Sequence, residues 1–153
     1  MTTVDFPIRG GANVGRVNHV TIGWAGENKF DAGRVGHVQV RFDSSGKTGP
    51  GPVDALLIAL GTCTAMDVLE ILAKRRTPVE SLEMEVRGAR ADEVPAKLIG
   101  AELVYRIAGA GIERVHAERA VALAVEKYCS VRGSLDPEIP ICWKVELNQP
   151  VEK

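Results

Sequence analysis

The chain has 153 residues, 45% hydrophobic and 25% charged, with 19 Lys and Arg against 20 Asp and Glu for a net charge of −1. That length suits one domain with its own core, and the near-average composition excludes a disordered, collagen-like or disulfide-scaffold protein. Balanced charge and only seven aromatic residues argue against nucleic-acid binding, which needs a basic face or a stacking platform.

Residues 1–14, with Pro7, Gly10 and Gly11, read as a flexible arm, and the opening MTTVDFPIRGG lacks the basic and then apolar regions of a signal peptide. Strand-like alternation follows over residues 16–22 and, more cleanly, over 37–42, where Val38, Val40 and Phe42 share one face. Between these runs Ala25-Gly26-Glu27-Asn28 and Asp31-Ala32-Gly33 supply turn chemistry. The loop Asp43-Ser44-Ser45-Gly46-Lys47-Thr48-Gly49-Pro50-Gly51-Pro52 then closes an antiparallel meander.

After the loop the period changes to that of a helix. Pro52 suits a first turn, where a missing N–H costs nothing, and residues 53–74 are dominated by Ala, Leu and Ile, with Asp67, Glu70 and Lys74 on one stripe. The first half is apolar almost all round, which predicts a helix enclosed by other elements. Its most apolar part, residues 55–66, falls short of the ~20 residues of a membrane span. Arg75-Arg76-Thr77-Pro78 ends the helix. Strands are predicted over 81–90 and 101–108, a second helix over 112–131, and a closing strand over 139–147. Hairpins separated by two helices predict an α+β fold with antiparallel sheets around a long buried central helix. The boundaries are an arm over 1–14, one domain over 15–147 and a tail over 148–153.

No GxGxxG, GxxxxGK[ST] or CxxC occurs, and His19, His37 and His116 are scattered, so no cofactor or metal site is expected. Three cysteines are too few for a secreted disulfide framework, which points to a soluble, cytoplasmic protein without a membrane anchor. Cys142 alternates with Ile141 and Trp143 in a strand and reads as packing. Cys63 and Cys129 are open to either reading, as buried small hydrophobes or as reactive thiols. Gly61, which weakens a helix by about 1 kcal/mol relative to Ala, and Thr62 and Thr64 flanking Cys63 fit both a reactive site and a tight helix crossing.

The run Gly51-Pro52-Val53-Asp54-Ala55-Leu56-Leu57 followed by Ala59-Leu60-Gly61-Thr62-Cys63-Thr64-Ala65-Met66-Asp67-Val68 resembles the central-helix signature of the OsmC/Ohr proteins. Glu126-Lys127-Tyr128-Cys129-Ser130-Val131 is similar to the family's second cysteine motif, especially in its YhfA-like branch. The resemblance implies an intertwined homodimer and a thiol peroxidase. In that chemistry Cys63 attacks an organic hydroperoxide and becomes a sulfenic acid, Cys129 condenses with it to a disulfide, and an external dithiol reduces the disulfide. The peroxidase branch activates its nucleophile with an Arg from the first hairpin and a Glu directly after the helix-opening proline. Here Val53 follows Pro52, and Lys29 is the basic residue nearest the arginine's place. The other readings are a redox-sensing or small-ligand-binding dimer without efficient turnover, and a dimeric module whose thiols only pack.

Overall fold

The structure, a computed structural model, describes residues 4–148, and the chain forms two compact units that divide after Pro52. Residues 4–19 contain no helix or strand, and 149–153 of the expected tail lie outside the described residues.

In the first unit β1 (Val20–Trp24), β2 (Lys29–Arg34) and β3 (Val40–Asp43) form an antiparallel meander. The observed outer strands begin further along the chain than their predicted counterparts. A strand through Asp31-Ala32-Gly33 contradicts the expected turn. Pairing on both sides overrides the local preference, with Ala32 opposite both Ile22 and Val40. Gly33 is required there, because a Cβ would lie 2.7 Å from the Val38 carbonyl oxygen.

The loop after β3 is organised by one buried carboxylate. Asp43 accepts hydrogen bonds from the backbone N–H groups of Ser45 and Thr48 at 2.9 and 3.0 Å and from their hydroxyls at 2.7 and 2.8 Å. These donors, the hydroxyls first, hold its carboxyl far below the ordinary carboxylate range.

In the second unit α1 (Pro52–Lys74) is followed by β4 (Ser81–Arg90), β5 (Leu98–Ala108), α2 (Arg114–Leu123), a π-helical turn (Ala124–Tyr128), α3 (Ser130–Ser134) and β6 (Ile141–Leu147). β4 pairs antiparallel with β5 from Ser81↔Ala108 onward. β6 pairs parallel to β5, Ala101↔Ile141 through Ile107↔Leu147, where antiparallel pairing was expected. The segment containing α2 returns the chain to the end of the sheet where β5 began, which is what a parallel neighbour requires. On the outward sheet face Arg106 bridges Glu83, Glu85 and Glu146 at 2.9–3.2 Å.

Leu60, Thr64, Val68 and Leu72, four residues apart, form the fully buried stripe of α1. They join a core with Leu103, Tyr105 and Ile107 of β5 and Ala117, Ala120 and Val121 of α2. Gly61 is explained by a close crossing, since a Cβ there would lie 2.8 Å from Val86 Cγ2 on β4. Ile58, Met66 and Leu69 on the remaining surface of α1 are exposed, so the second unit by itself encloses this helix on one side only. By length and composition alone α1 is apolar enough to cross a membrane. A core helix passes the same test, and the buried stripe is the mark of one.

Two substitutions test this account. Gly61→Val should destabilise the second unit by about 2 kcal/mol or more in urea unfolding, through overpacking against Val86 and reduced helix propensity; unchanged stability would remove the close crossing. Asp43→Ala should destabilise the first unit by removing the shared acceptor of the Ser45 and Thr48 hydrogen bonds that organise this loop. Because the folded carboxyl is depressed, its contribution is present above the unfolded value near 3.9 and is lost as pH falls below it. The variant should therefore show less acid sensitivity than the parent when hydrogen exchange in β3 is followed against pH.

Candidate active site

Cys63 sits about three turns into α1, half-buried and packed against the core. The flanking threonines play different parts. Thr62 is exposed and its hydroxyl donates to the Ile58 carbonyl at 2.7 Å. Thr64 is buried; its hydroxyl donates to the Gly61 carbonyl at 3.0 Å and accepts from the Tyr105 hydroxyl at 2.8 Å. The Thr64–Tyr105 bond ties the helix turn carrying Cys63 to β5.

Cys129 lies outside the continuous helix expected over 112–131. α2 loosens into the π-helical turn, whose closing bond runs from Cys129 N–H to the Ala124 carbonyl at 2.9 Å. Cys129 then adopts an extended conformation, with φ −66° and ψ 108°, before α3 begins. This break turns the side chain inward. Only 6% of Cys129 is exposed, and its sulfur accepts the Arg132 N–H at 3.2 Å.

The two thiols meet. Burial pushes the Cys129 thiol up to about 11. Its side-chain hydrogen bond with Cys63 and the charge of that neighbour act in the same direction, opposed by the N–H groups of Arg132 and Val131. Cys129 is therefore a thiol at neutral pH. Cys142, expected to pack, is instead exposed on β6, because the two-residue period sends Ile141, Trp143 and Val145 inward and Cys142 out.

Two further residues belong to this cluster. Tyr105 is fully buried and its hydroxyl is pushed up to about 12, chiefly by burial, with Cys129 and Asp67 among the charges it senses. Asp67 follows Cys63 by one helical turn on the same face. Its Oδ2 is shut off from solvent without a hydrogen-bond partner among the described residues, and burial and then Glu70 raise its carboxyl above the ordinary value. The sequence marks Asp67 only as part of a polar stripe, and Tyr105 only as an inward strand residue; neither pattern reveals that the two converge.

Lys29 lies in the first unit, where its ammonium is hydrogen-bonded to Glu27, and that contact raises its pKa. Val53 and Asp54 open α1, and Asp54 lines a cleft of about 440 Å³ with Leu57, Gly61, Met84 and Val86. Among the described residues no three His, Cys, Asp or Glu side chains are grouped to hold a metal ion.

An α+β fold with one cysteine on a long central helix and a second brought to it from a helix break defines the class. A family model described as OsmC-like protein matches residues 44–144, and the chain belongs to that family. Among individual relatives it is 33% identical over 112 residues to protein YhfA of Escherichia coli K12, covering 73% of this chain and 84% of that one. A solved structure from Aquifex aeolicus VF5 is similar with TM-score 0.75 at 27% identity, over 88% of this chain and 99% of that chain. The fold is shared with OsmC-like protein from Mycoplasma pneumoniae, with TM-score 0.75 and 18% identity over 88% of this chain and 99% of that one. OhrB, the organic hydroperoxide resistance protein of Bacillus subtilis, has TM-score 0.56 and 16% identity over 87% and 98% of the two chains.

The raised Cys129 thiol has a direct consequence. In the native protein, iodoacetamide at pH 8 should leave Cys129 largely unmodified while labelling the exposed Cys142, and Cys129 labelling should rise steadily toward pH 11. Peptide mass mapping showing rapid Cys129 labelling at pH 8 would contradict its burial as a thiol.

Proposed function

We propose that this chain is a thiol-dependent peroxidase that reduces organic hydroperoxides, with Cys63 attacking and Cys129 resolving. The observation that carries the reading is the side-chain contact between Cys129 and Cys63. The Cys63 thiolate attacks the O–O bond, forming an S–O bond and releasing an alkoxide that leaves as the alcohol once protonated. Cys63 is then a sulfenic acid. The Cys129 sulfur attacks the Cys63 sulfur and the hydroxyl leaves as water with the Cys129 proton, so the Cys63–Cys129 disulfide is the protein oxidised by the two electrons that the peroxide has taken. An external dithiol supplies two electrons in two exchanges and is itself oxidised to a disulfide. The apolar surroundings of Cys63, with Leu60 and Ala59 before it and Ala65 and Met66 after it, favour a peroxide with an organic substituent over hydrogen peroxide. Family membership and the name of the Bacillus subtilis structure support the same chemistry.

The working form in this reading is a cytoplasmic homodimer. Ile22 and Trp24 on one face of the meander are 69 and 71% exposed, and Met66 on α1 is 68% exposed. A second copy is an economical cover for both faces. A redox-sensing role without rapid turnover is favoured by two features: Val53 stands directly after Pro52, and the Lys29 charge is engaged by Glu27.

Adding one equivalent of cumene hydroperoxide to reduced protein should remove two alkylatable thiols, mapped to Cys63 and Cys129. Cys63→Ser should abolish peroxide consumption, and Cys129→Ser should accumulate a sulfenic acid on Cys63 that dimedone traps. Three free thiols after peroxide would refute the peroxidase and the sensor together. Oxidation in a single round, with no continued consumption in excess dithiothreitol, would select the sensor.

A further inference from the structure

A polar cavity of about 730 Å³ opens between the C-terminal half of α1 and the α2–π-turn segment. It begins at Asp67, one turn beyond Cys63, and Tyr128, the chain neighbour of Cys129, forms part of its wall. Four-residue spacing stacks Asp67 over Cys63 on one face of α1, so this end of the cavity is the one nearer the two cysteines. At the other end stand Lys74, Arg75 and Arg119. Lys74 is paired with Glu70 at 2.5 Å. Arg75 and Arg119 have no carboxylate partner among the described residues, although both line a cavity that also contains acids. Their guanidiniums are therefore available to an anion, for which a planar fork is well matched. Burial raises the Asp67 carboxyl toward its neutral form, which reduces repulsion of an incoming anion.

We propose that this cavity admits the reductant of the Cys63–Cys129 disulfide, and that the reductant is an extended thiol carrying a carboxylate held by Arg75 and Arg119. The inference rests on the disulfide in the function proposed above. Eleven helical steps along α1 separate Cys63 from Lys74, about 17 Å along the axis, and Arg75 follows directly, so a thiol that reaches both ends must be extended. The thiolate attacks one sulfur of the disulfide, forming a mixed disulfide and releasing the other cysteine as a thiolate, which takes up a proton. A second thiolate, from the same molecule or another, attacks the reductant's sulfur in the mixed disulfide. The products are two reduced cysteines and the oxidised reductant.

The test compares glutathione with its diethyl ester, which has the same thiol with both carboxylates masked. The protein is first oxidised with diamide, so the disulfide is made without peroxide, and each reduction rate is divided by that thiol's rate with hydroxyethyl disulfide. Glutathione should be about tenfold faster than the ester, the size of one charge-assisted hydrogen bond. In the Arg75→Gln/Arg119→Gln protein the ratio should fall toward one, and Arg75→Lys alone should retain most of it. A ratio near one in the parent, or one unchanged in the double variant, overturns the proposal. Failure of diamide to join Cys63 to Cys129 also overturns it. Joining by diamide but not by cumene hydroperoxide, with the glutathione preference intact, sinks the peroxidase reading and leaves this one standing.

Discussion

The Tyr105 hydroxyl donates to Thr64 Oγ1 across 2.8 Å in a fully buried setting, and the rotation of α1 about its axis depends on that bond. A stripe of Leu60, Val68 and Leu72 would pack acceptably over a range of helix rotations, because hydrophobic burial has no preferred direction. A hydroxyl pair buried away from water tolerates much less, since losing the partner leaves both groups desolvated and unpaired. Thr64 also bonds back to its own helix, so the constraint passes directly to the turn holding Cys63. The packing of α1 on β5 brings the helix close, and the polar pair decides which residues of it look toward Cys129.

The second cysteine reaches the same place by a different device. In an unbroken helix, Cys129 would continue the course of α2. The π-helical turn adds a residue to one turn, and the extended conformation at Cys129 then stops the helix and restarts it as α3. The thiol that results is flanked by the Arg132 and Val131 N–H groups, which favour a thiolate, but burial outweighs them. The site therefore keeps a proton on the buried sulfur beside a less buried one. In the proposed chemistry this suits a resolving thiol, which is needed only after the first cysteine has been oxidised.

α1 and β4 were legible almost to the residue, because each has an unambiguous period and clear terminal punctuation, Pro52 at one end and Pro78 after the other. The meander was less so. Asp31-Ala32-Gly33 carries local turn preference, and only the strands on either side of it make it β2. Cys63 and Cys129 stand out through the family motifs, but their meeting depends on a π turn, and one extra residue in a helical turn leaves hydrophobic periodicity almost unchanged. Asp67 is the opposite case. Its position on the Cys63 face follows from four-residue spacing, yet the burial of its Oδ2 depends on how the long helix packs, which no local pattern encodes.

The uncovered apolar surfaces complete the argument about assembly. A three-stranded sheet with one apolar face is marginal unless something covers that face, and the meander presents Ile22, Trp24 and Val40 to solvent. α1 likewise turns Ile58 and Met66 outward beside its buried stripe. Exposed apolar patches of this kind mark interaction surfaces, and a twofold pair of identical chains can cover each patch with its own symmetry equivalent. In the proposed dimer, folding and association are therefore linked, and the stability of the helix that carries Cys63 rises with protein concentration. In that dimer the placement of Cys63 depends on two sources of order, a buried hydroxyl pair within the chain and an apolar contact supplied by its copy.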